Sequence, residues 1–228
     1  DHTVQDGSAH GILAGERGMN QMFLGADGLP HCRWCGTAPV FLDYHDREWG
    51  FPVSDDFRLF EKICLEGFQS GLSWRTILAK RENFRAAFLG FDFNKVACFD
   101  EQDVARLLQN EGIVRHRGKI EAVIHNAVRA QELIQETGSL AAFFWRYEPD
   151  ASGLPAPQTV STSPESIALS KELKKRDWKF VGPTTAYAFM QAMGLINDHV
   201  PDCVTRLQVE RERKKFKRSV LMLIKRQL

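Results

Sequence analysis

Apolar residues that recur every three to four positions, in one segment after another, commit this chain to helices. In "SDDFRLFEKICLEG" Phe57, Phe60 and Cys64 fall at helical spacing, with Leu59 and Ile63 beside them. Ser54 stands where an N-cap is expected, ahead of acidic residues that suit the first turn. "SWRTILAKRENFRAAF", "DEQDVARLLQNEG", "KIEAVIHNAVRAQELIQETG" and "SPESIALSKELKKR" repeat the pattern, several of them ending at or near glycine. "TTAYAFMQAMG" is a further helix that stops at Gly194. Alternating strand patterns are nearly absent and no internal repeat is found, so the sequence predicts an all-α fold.

A chain of 228 residues suits one domain, or one domain with a small lobe, and can bury a proper core. Residues 1–30 are rich in Gly, Asp and Ala without a sustained period, and are expected to form a loose N-terminal extension. The body of the domain is expected over 31–205. Residues 206–228 read as a basic C-terminal extension, a block of charge followed by a short apolar run, with solvation as its ordinary fate. "YEPDASGLPAPQTVSTSP", residues 147–164, is linker-like, because its prolines break both helix and sheet.

The formal net charge of +1 hides local asymmetry and neither supports nor excludes a polyanionic partner. No apolar run approaches membrane-spanning length and the N-terminus has no secretory pattern. Five cysteines, an odd number, argue against a disulfide framework, so the cytoplasm is the expected compartment.

In "NDHVPDC" His199 and Cys203 lie four residues apart. A tetrahedral zinc cage takes four Cys or His ligands, so a second pair must come from elsewhere. "HCRWC" offers Cys32 and Cys35 at CxxC spacing with His31 adjacent; Cys32 with His45 of "DYHDREWG" is the alternative. Spacing leaves the fourth ligand open. Cys64 and Cys98 lie among helical apolar neighbours and read as ordinary packed thiols.

"YHDREWG", "ICLEGFQSGLSW", "KRENFRAAF", "GIVRHRGKI", "LSKELKKR", "KFVGPTTAYAFMQA" and "GLINDHVPDC" occur in this order between about Cys32 and Cys203. Together they resemble the DNA-3-methyladenine glycosylase I family. The resemblance implies a helix-hairpin-helix glycosylase core with a second lobe tied by one structural Zn2+, held by Cys32, His45, His199 and Cys203. Such a closed site can supply roughly 10 kcal/mol of folding free energy, so loss of a ligand should destabilise rather than selectively stop the chemistry.

The implied partner is double-stranded alkylated DNA, acted on by a monomer with no obligate protein partner. The implied reaction is hydrolysis of the N-glycosidic bond of 3-methyladenine. In a nucleotide that base is cationic, so its bond is already weak and it departs neutral. A pocket for it needs aromatic faces and a carboxylate more than it needs a general acid. Glu66 continues the apolar stripe at i+7 from Leu59 and i+3 from Ile63, and matches the family's recognition glutamate.

The resemblance also carries Tyr44 and Trp74 over as base-stacking rings. Trp34 and Phe41 stand beside them, Phe41 where relatives often have Tyr, and Trp34 and Trp49 are assigned to pocket support or core. Gly71 and Leu72 match the turn that probes the gap left by the extruded base. Val181, Gly182 and Thr184 match the hairpin whose backbone binds phosphate, with Pro183 suited to the first helical turn. His116, Arg117 and Lys119 of "RHRGK" are further candidate phosphate contacts, and Asp198 ranks below Glu66 as a catalytic group. A catalytically silent, zinc-stabilised lesion-binding module is the competing reading. The joint presence of Glu66, Tyr44 and Trp74 argues against it, since phosphate binding needs none of them.

Overall fold

The computed structural model describes residues 22–218. The remainder of the expected N-terminal extension and the apolar run after Arg218 lie outside the described residues. The fold is mostly helical, with one small antiparallel hairpin, β1 (Met22–Leu24) and β2 (Pro30–Cys32), in which Met22 faces Cys32. The hairpin therefore occupies the end of the stretch expected to be loose. Two three-residue strands are too short to register as an alternating pattern, and their turn is made by Gly28 at φ +75° and by the Leu29 N–H donating to Asp27 Oδ1.

α1 (Pro39–Arg47) opens on proline, whose missing N–H costs nothing there. α2 (Asp56–Gln69) is capped by Asp55, which accepts from the Arg58 N–H at 2.9 Å, not by Ser54 as the sequence suggested. The cap thus lies one residue later than expected, and Asp56, in the first turn, accepts instead from the Ala141 N–H at 3.0 Å. α3 (Trp74–Ala79), α4 (Arg81–Ala87), α5 (Phe93–Val96) and α6 (Glu101–Leu108) follow. Ser73, Asp92 and Asp100 cap α3, α5 and α6 in turn.

α7 (Arg117–Thr137) ends at Gly138, which takes φ +92°. α8 (Leu140–Phe144), α9 (Pro164–Lys175), α10 (Pro183–Ala192) and α11 (Val204–Lys215) complete the set. α2 runs through the middle of the molecule and every residue from Leu59 to Phe68 is buried. A helix buried on all sides has no solvated face, so its charged residues Glu61, Lys62 and Glu66 are carried inside with the apolar ones. α10, α7 and α8 pack around it, and Phe60, Phe68, Phe143, Phe144 and Phe189 fill the joints. α9 and α10 form a hairpin through residues 176–182.

Two expectations change here. The 147–164 segment is irregular, yet it is a strap and not a free linker. The Gln158 N–H donates to Asp198 Oδ1, and its side-chain amide donates to the Asp198 carbonyl and to Cys32 Sγ. The start of the 206–228 extension is a packed part of α11: Val209 is buried and Asn197 Nδ2 donates to both the Arg206 carbonyl and Glu210. A single apolar anchor among charges makes no periodic stripe, which is why the sequence reads as solvated. Arg218, at the end of the described chain, is held by Glu148 at 2.7 Å.

Gly194 takes φ +80°, and a Cβ there would sit 2.6 Å from Phe51 and Pro52 backbone atoms. Only glycine lets α10 end against residues 51–52 and turn the chain toward His199. Among the described residues no helix is long and apolar enough to cross a membrane.

Candidate functional site

The end of β2, the inner face of α1, the loop after Gly194 and the cap of α11 converge on one buried point. There Cys32, His45, His199 and Cys203 bring their ligand atoms within 4.8 Å of one another. Cys203 Sγ lies 3.5 Å from His45 Nε2 and 3.6 Å from His199 Nδ1, and Cys32 Sγ lies 3.8 Å from His199 Nδ1.

The surrounding hydrogen bonds assign the tautomers. His199 Nε2–H donates to the Trp49 carbonyl at 2.8 Å, and His45 Nδ1–H donates to Asp46 Oδ1 at 2.6 Å. The other two ring nitrogens, 3.1 Å apart, then turn lone pairs toward each other. That arrangement is repulsive between neutral rings and is relieved by a proton or a metal cation between them. The Cys32 thiol is pushed up and that of Cys203 down, chiefly by the hydrogen bond between them, so one thiolate is favoured. Two sulfurs and two imidazole nitrogens form a donor set that can hold a metal.

Cys35 also lies near, in a second group with His31 and His45. Its thiol donates to the Cys32 carbonyl at 3.0 Å and burial pushes it up to about 12. Both ring nitrogens of His31 are engaged by Asp27 and Asp46. Cys35 and His31 are thus occupied outside the four-donor cluster.

Beside the cluster, Trp34, Tyr44, Trp49, Glu66, Gln69, Trp74, Ala188 and Gln191 line a cleft of about 190 Å³. The Tyr44 and Trp74 rings lie 5.6 Å apart with 49° between their planes, and Trp34 meets Trp49 edge-on at 5.1 Å. Trp74 Nε1 is buried with no hydrogen-bond partner among the described residues, an orphan donor in the cleft wall. Glu66 is 6% exposed. Burial pushes its carboxyl up to about 7, against the opposing pull of Lys62, whose Nζ lies 3.9 Å away. Phe41 packs edge-on against Trp34 at 5.8 Å and is not among the lining residues.

Lys62 is the residue that sequence reading missed. Its Nζ donates to the Tyr44 hydroxyl at 2.6 Å and stands 4.1 Å from the centre of the Trp74 ring. Burial pushes it down to about 8. The available signal was its position four residues before Glu66 on the apolar stripe. Gln69 and Gln191, also missed, carry no such signal in the sequence.

A larger hollow of about 580 Å³ lies elsewhere, lined by Asp55, Asp56, Phe57, Phe93 and others. Its two carboxylates are spent on the cap of α2 and on Ala141.

Past the cleft, Gly71 takes φ +78° and Leu72 is 40% exposed, so Leu72 projects from the surface and is not core. Lys119, a candidate phosphate contact from sequence, is buried and donates to the Phe68 and Ser70 carbonyls, pinning this turn. Arg117 pairs with Glu101 and Glu121, and the His116 ring accepts from the Lys119 N–H as the cap of α7. All three candidates are engaged within the fold, as local charge could not reveal.

Gly182 caps α10 and Thr184 is exposed in its first turn. The Val181 side chain is buried and its carbonyl accepts from Ser170 Oγ at 2.7 Å, so of its polar groups only the backbone N–H is uncommitted to Ser170. Asp198 is buried, accepting from Gln191 Nε2 at 2.8 Å and from Gln158, and burial pushes its carboxyl up.

A family model described as methyladenine glycosylase matches residues 34–206. The chain is 49% identical over 179 residues to DNA-3-methyladenine glycosylase 1 of Escherichia coli (strain K12), covering 77% of this chain and 96% of that protein. It is 48% identical over 177 residues to a DNA-3-methyladenine glycosylase of Haemophilus influenzae, covering 75% and 95%. It is also similar to a solved variant of 3-methyladenine DNA glycosylase I in complex with 3-methyladenine, with TM-score 0.71 and 36% identity, covering 77% of this chain and 97% of that one.

Proposed function

This chain belongs to the methyladenine glycosylase family, and from that premise we propose that its aromatic cleft takes the extruded base while Glu66 recognises it. The protein is a DNA-3-methyladenine glycosylase, which hydrolyses the bond between damaged base and sugar in base excision repair. One observation carries the assignment of the cleft: a buried carboxylate, Glu66, lines it together with the rings of Tyr44 and Trp74. A fixed negative charge beside π-faces suits a flat cation better than a neutral base.

Extruding the nucleotide costs roughly a few kcal/mol, repaid by stacking and by the carboxylate. Tyr44 and Trp74 stack on the base, Trp34 and Trp49 close the cleft beside them, and Phe41 supports Trp34 from behind. Glu66 accepts a hydrogen bond from the base edge and holds negative charge near the sugar as the base leaves neutral. Water then captures the sugar cation. Leu72, on the Gly71 turn, fills the gap in the duplex. The hairpin of α9 and α10 is the helix-hairpin-helix, and the backbone at Val181, Gly182 and Thr184 binds a phosphate without reading sequence.

Cys32, His45, His199 and Cys203 would hold a structural Zn2+, joining β2 and α1 to the loop after Gly194 and the start of α11, and such a site would serve stability and not the chemistry. The domain of 31–205 acts as a monomer on double-stranded alkylated DNA, with α11 continuing its packed lobe.

The test is chromatography of bases released from methylated duplex DNA by the purified protein. Release of 3-methyladenine that Glu66→Gln suppresses in a folded protein supports the assignment. Undiminished release by that variant removes Glu66 from the site.

A further inference from the structure

The groups assigned to the cationic base are already in contact with a cation of the protein's own. Lys62 Nζ lies 3.9 Å from the Glu66 carboxylate, 4.1 Å from the centre of the Trp74 ring and 4.7 Å from that of Tyr44, whose hydroxyl it meets at 2.6 Å. Glu66 accepts no hydrogen bond from any described residue, so this ammonium is its one close partner. We propose that Lys62 is the standing counter-ion of Glu66, and that it gives its proton to solvent when the cationic base takes over the carboxylate. The inference rests on the reading of the cleft given above.

Two cations sharing one buried carboxylate repel each other, and one of the charges must go. That of the base is fixed by its methyl group, whereas that of Lys62 is a removable proton. Burial already pushes Lys62 down to about 8. The other charges facing it are committed: Arg81 pairs with Glu48 at 2.8 Å and Arg85 with Glu61 at 2.6 Å, while Tyr44 is neutral. No free carboxylate remains to keep Lys62 charged once Glu66 is shared. The neutral amine then keeps its hydrogen bond to Tyr44 and no longer opposes the base.

The balance is simple: Lys62-NH3+ becomes Lys62-NH2, one proton passes to water, and the site exchanges one positive charge for another. Since binding releases a proton, affinity for the cationic lesion rises with pH until Lys62 is neutral in the free protein.

The experiment measures affinity and single-turnover excision for a duplex carrying 3-methyladenine, with wild type, Lys62→Arg and Lys62→Met. Wild type is expected to gain affinity, up to about tenfold per pH unit, between about pH 7 and pH 8. Arginine keeps the charge but cannot shed it, so Lys62→Arg is expected to bind the lesion at least about tenfold more weakly even at about pH 9. Lys62→Met is expected to match wild type at about pH 9 and, having no proton to shed, to bind at least as tightly as wild type between about pH 7 and pH 8.

A purely structural counter-ion would be rescued by arginine, so wild-type affinity in Lys62→Arg overturns the proposal. So does flat affinity of the wild type across that window, or a folded Lys62→Met that is inactive at about pH 9. If Lys62→Arg does not fold, the other two proteins decide. Absence of 3-methyladenine release by wild type would overturn the reading of the cleft together with this inference. Release by wild type with full rescue by arginine would overturn this inference alone.

Discussion

Lys62 and Glu66 stand one turn apart on α2, both buried, with 3.9 Å between ammonium nitrogen and carboxylate oxygen. Burial shifts both groups toward their neutral forms, and the attraction between them opposes that shift. Glu66 lines the aromatic cleft, and Lys62 lies behind it against the Tyr44 and Trp74 rings of that lining.

Glu66→Gln keeps the shape of the side chain and removes its charge. Loss of one buried electrostatic contact to a reacting group is expected to slow single-turnover excision roughly a hundredfold. Rates on methylated duplex, compared at equal melting temperature, check this.

The same residue makes stability depend on pH. The Glu66 carboxyl is raised from 4.5 to about 7 by burial. Between those values the folded state binds more protons than the unfolded one, so stability falls as pH rises through the window. The loss is on the order of a few kcal/mol. Urea midpoints at both ends of the window should show the fall in wild type and a smaller one in Glu66→Gln.

Cys203→Ser removes one of four converging donors. Metal content and stability are expected to fall together, the latter by several kcal/mol. Metal analysis alongside melting curves checks it, and unchanged values of both would strike Cys203 from the ligand set.

Leu72→Ala trims a side chain that is exposed in the fold. Stability is expected to stay within about 0.5 kcal/mol, while binding to lesion duplex weakens because the wedge is lost. Binding of free 3-methyladenine, which needs no wedge, should be unchanged. Calorimetry with each ligand separates the two.

Lys119→Met leaves the Phe68 and Ser70 carbonyls without their shared donor. A cost of roughly 1–3 kcal/mol in unfolding free energy is expected. A phosphate contact would instead appear as a reduced salt dependence of DNA binding at unchanged stability.

The apolar periodicity of segments such as "SDDFRLFEKICLEG" determined the helices, because burial of a stripe is a local pattern along one chain segment. The order of the motifs and the His199–Cys203 spacing likewise marked the family and half of the donor cluster. Tertiary structure alone decided what depends on distances between segments. Spacing left the fourth donor open, and the fold brings His45, not Cys35, into the cluster of Cys32, His199 and Cys203. It turned residues 147–164 into a strap through Gln158, and spent His116, Arg117 and Lys119 on internal partners. It also drew Lys62 inward with Glu66. A lysine is written the same way whether water or a tryptophan ring surrounds it, and only the packing of α2 on every side settled which.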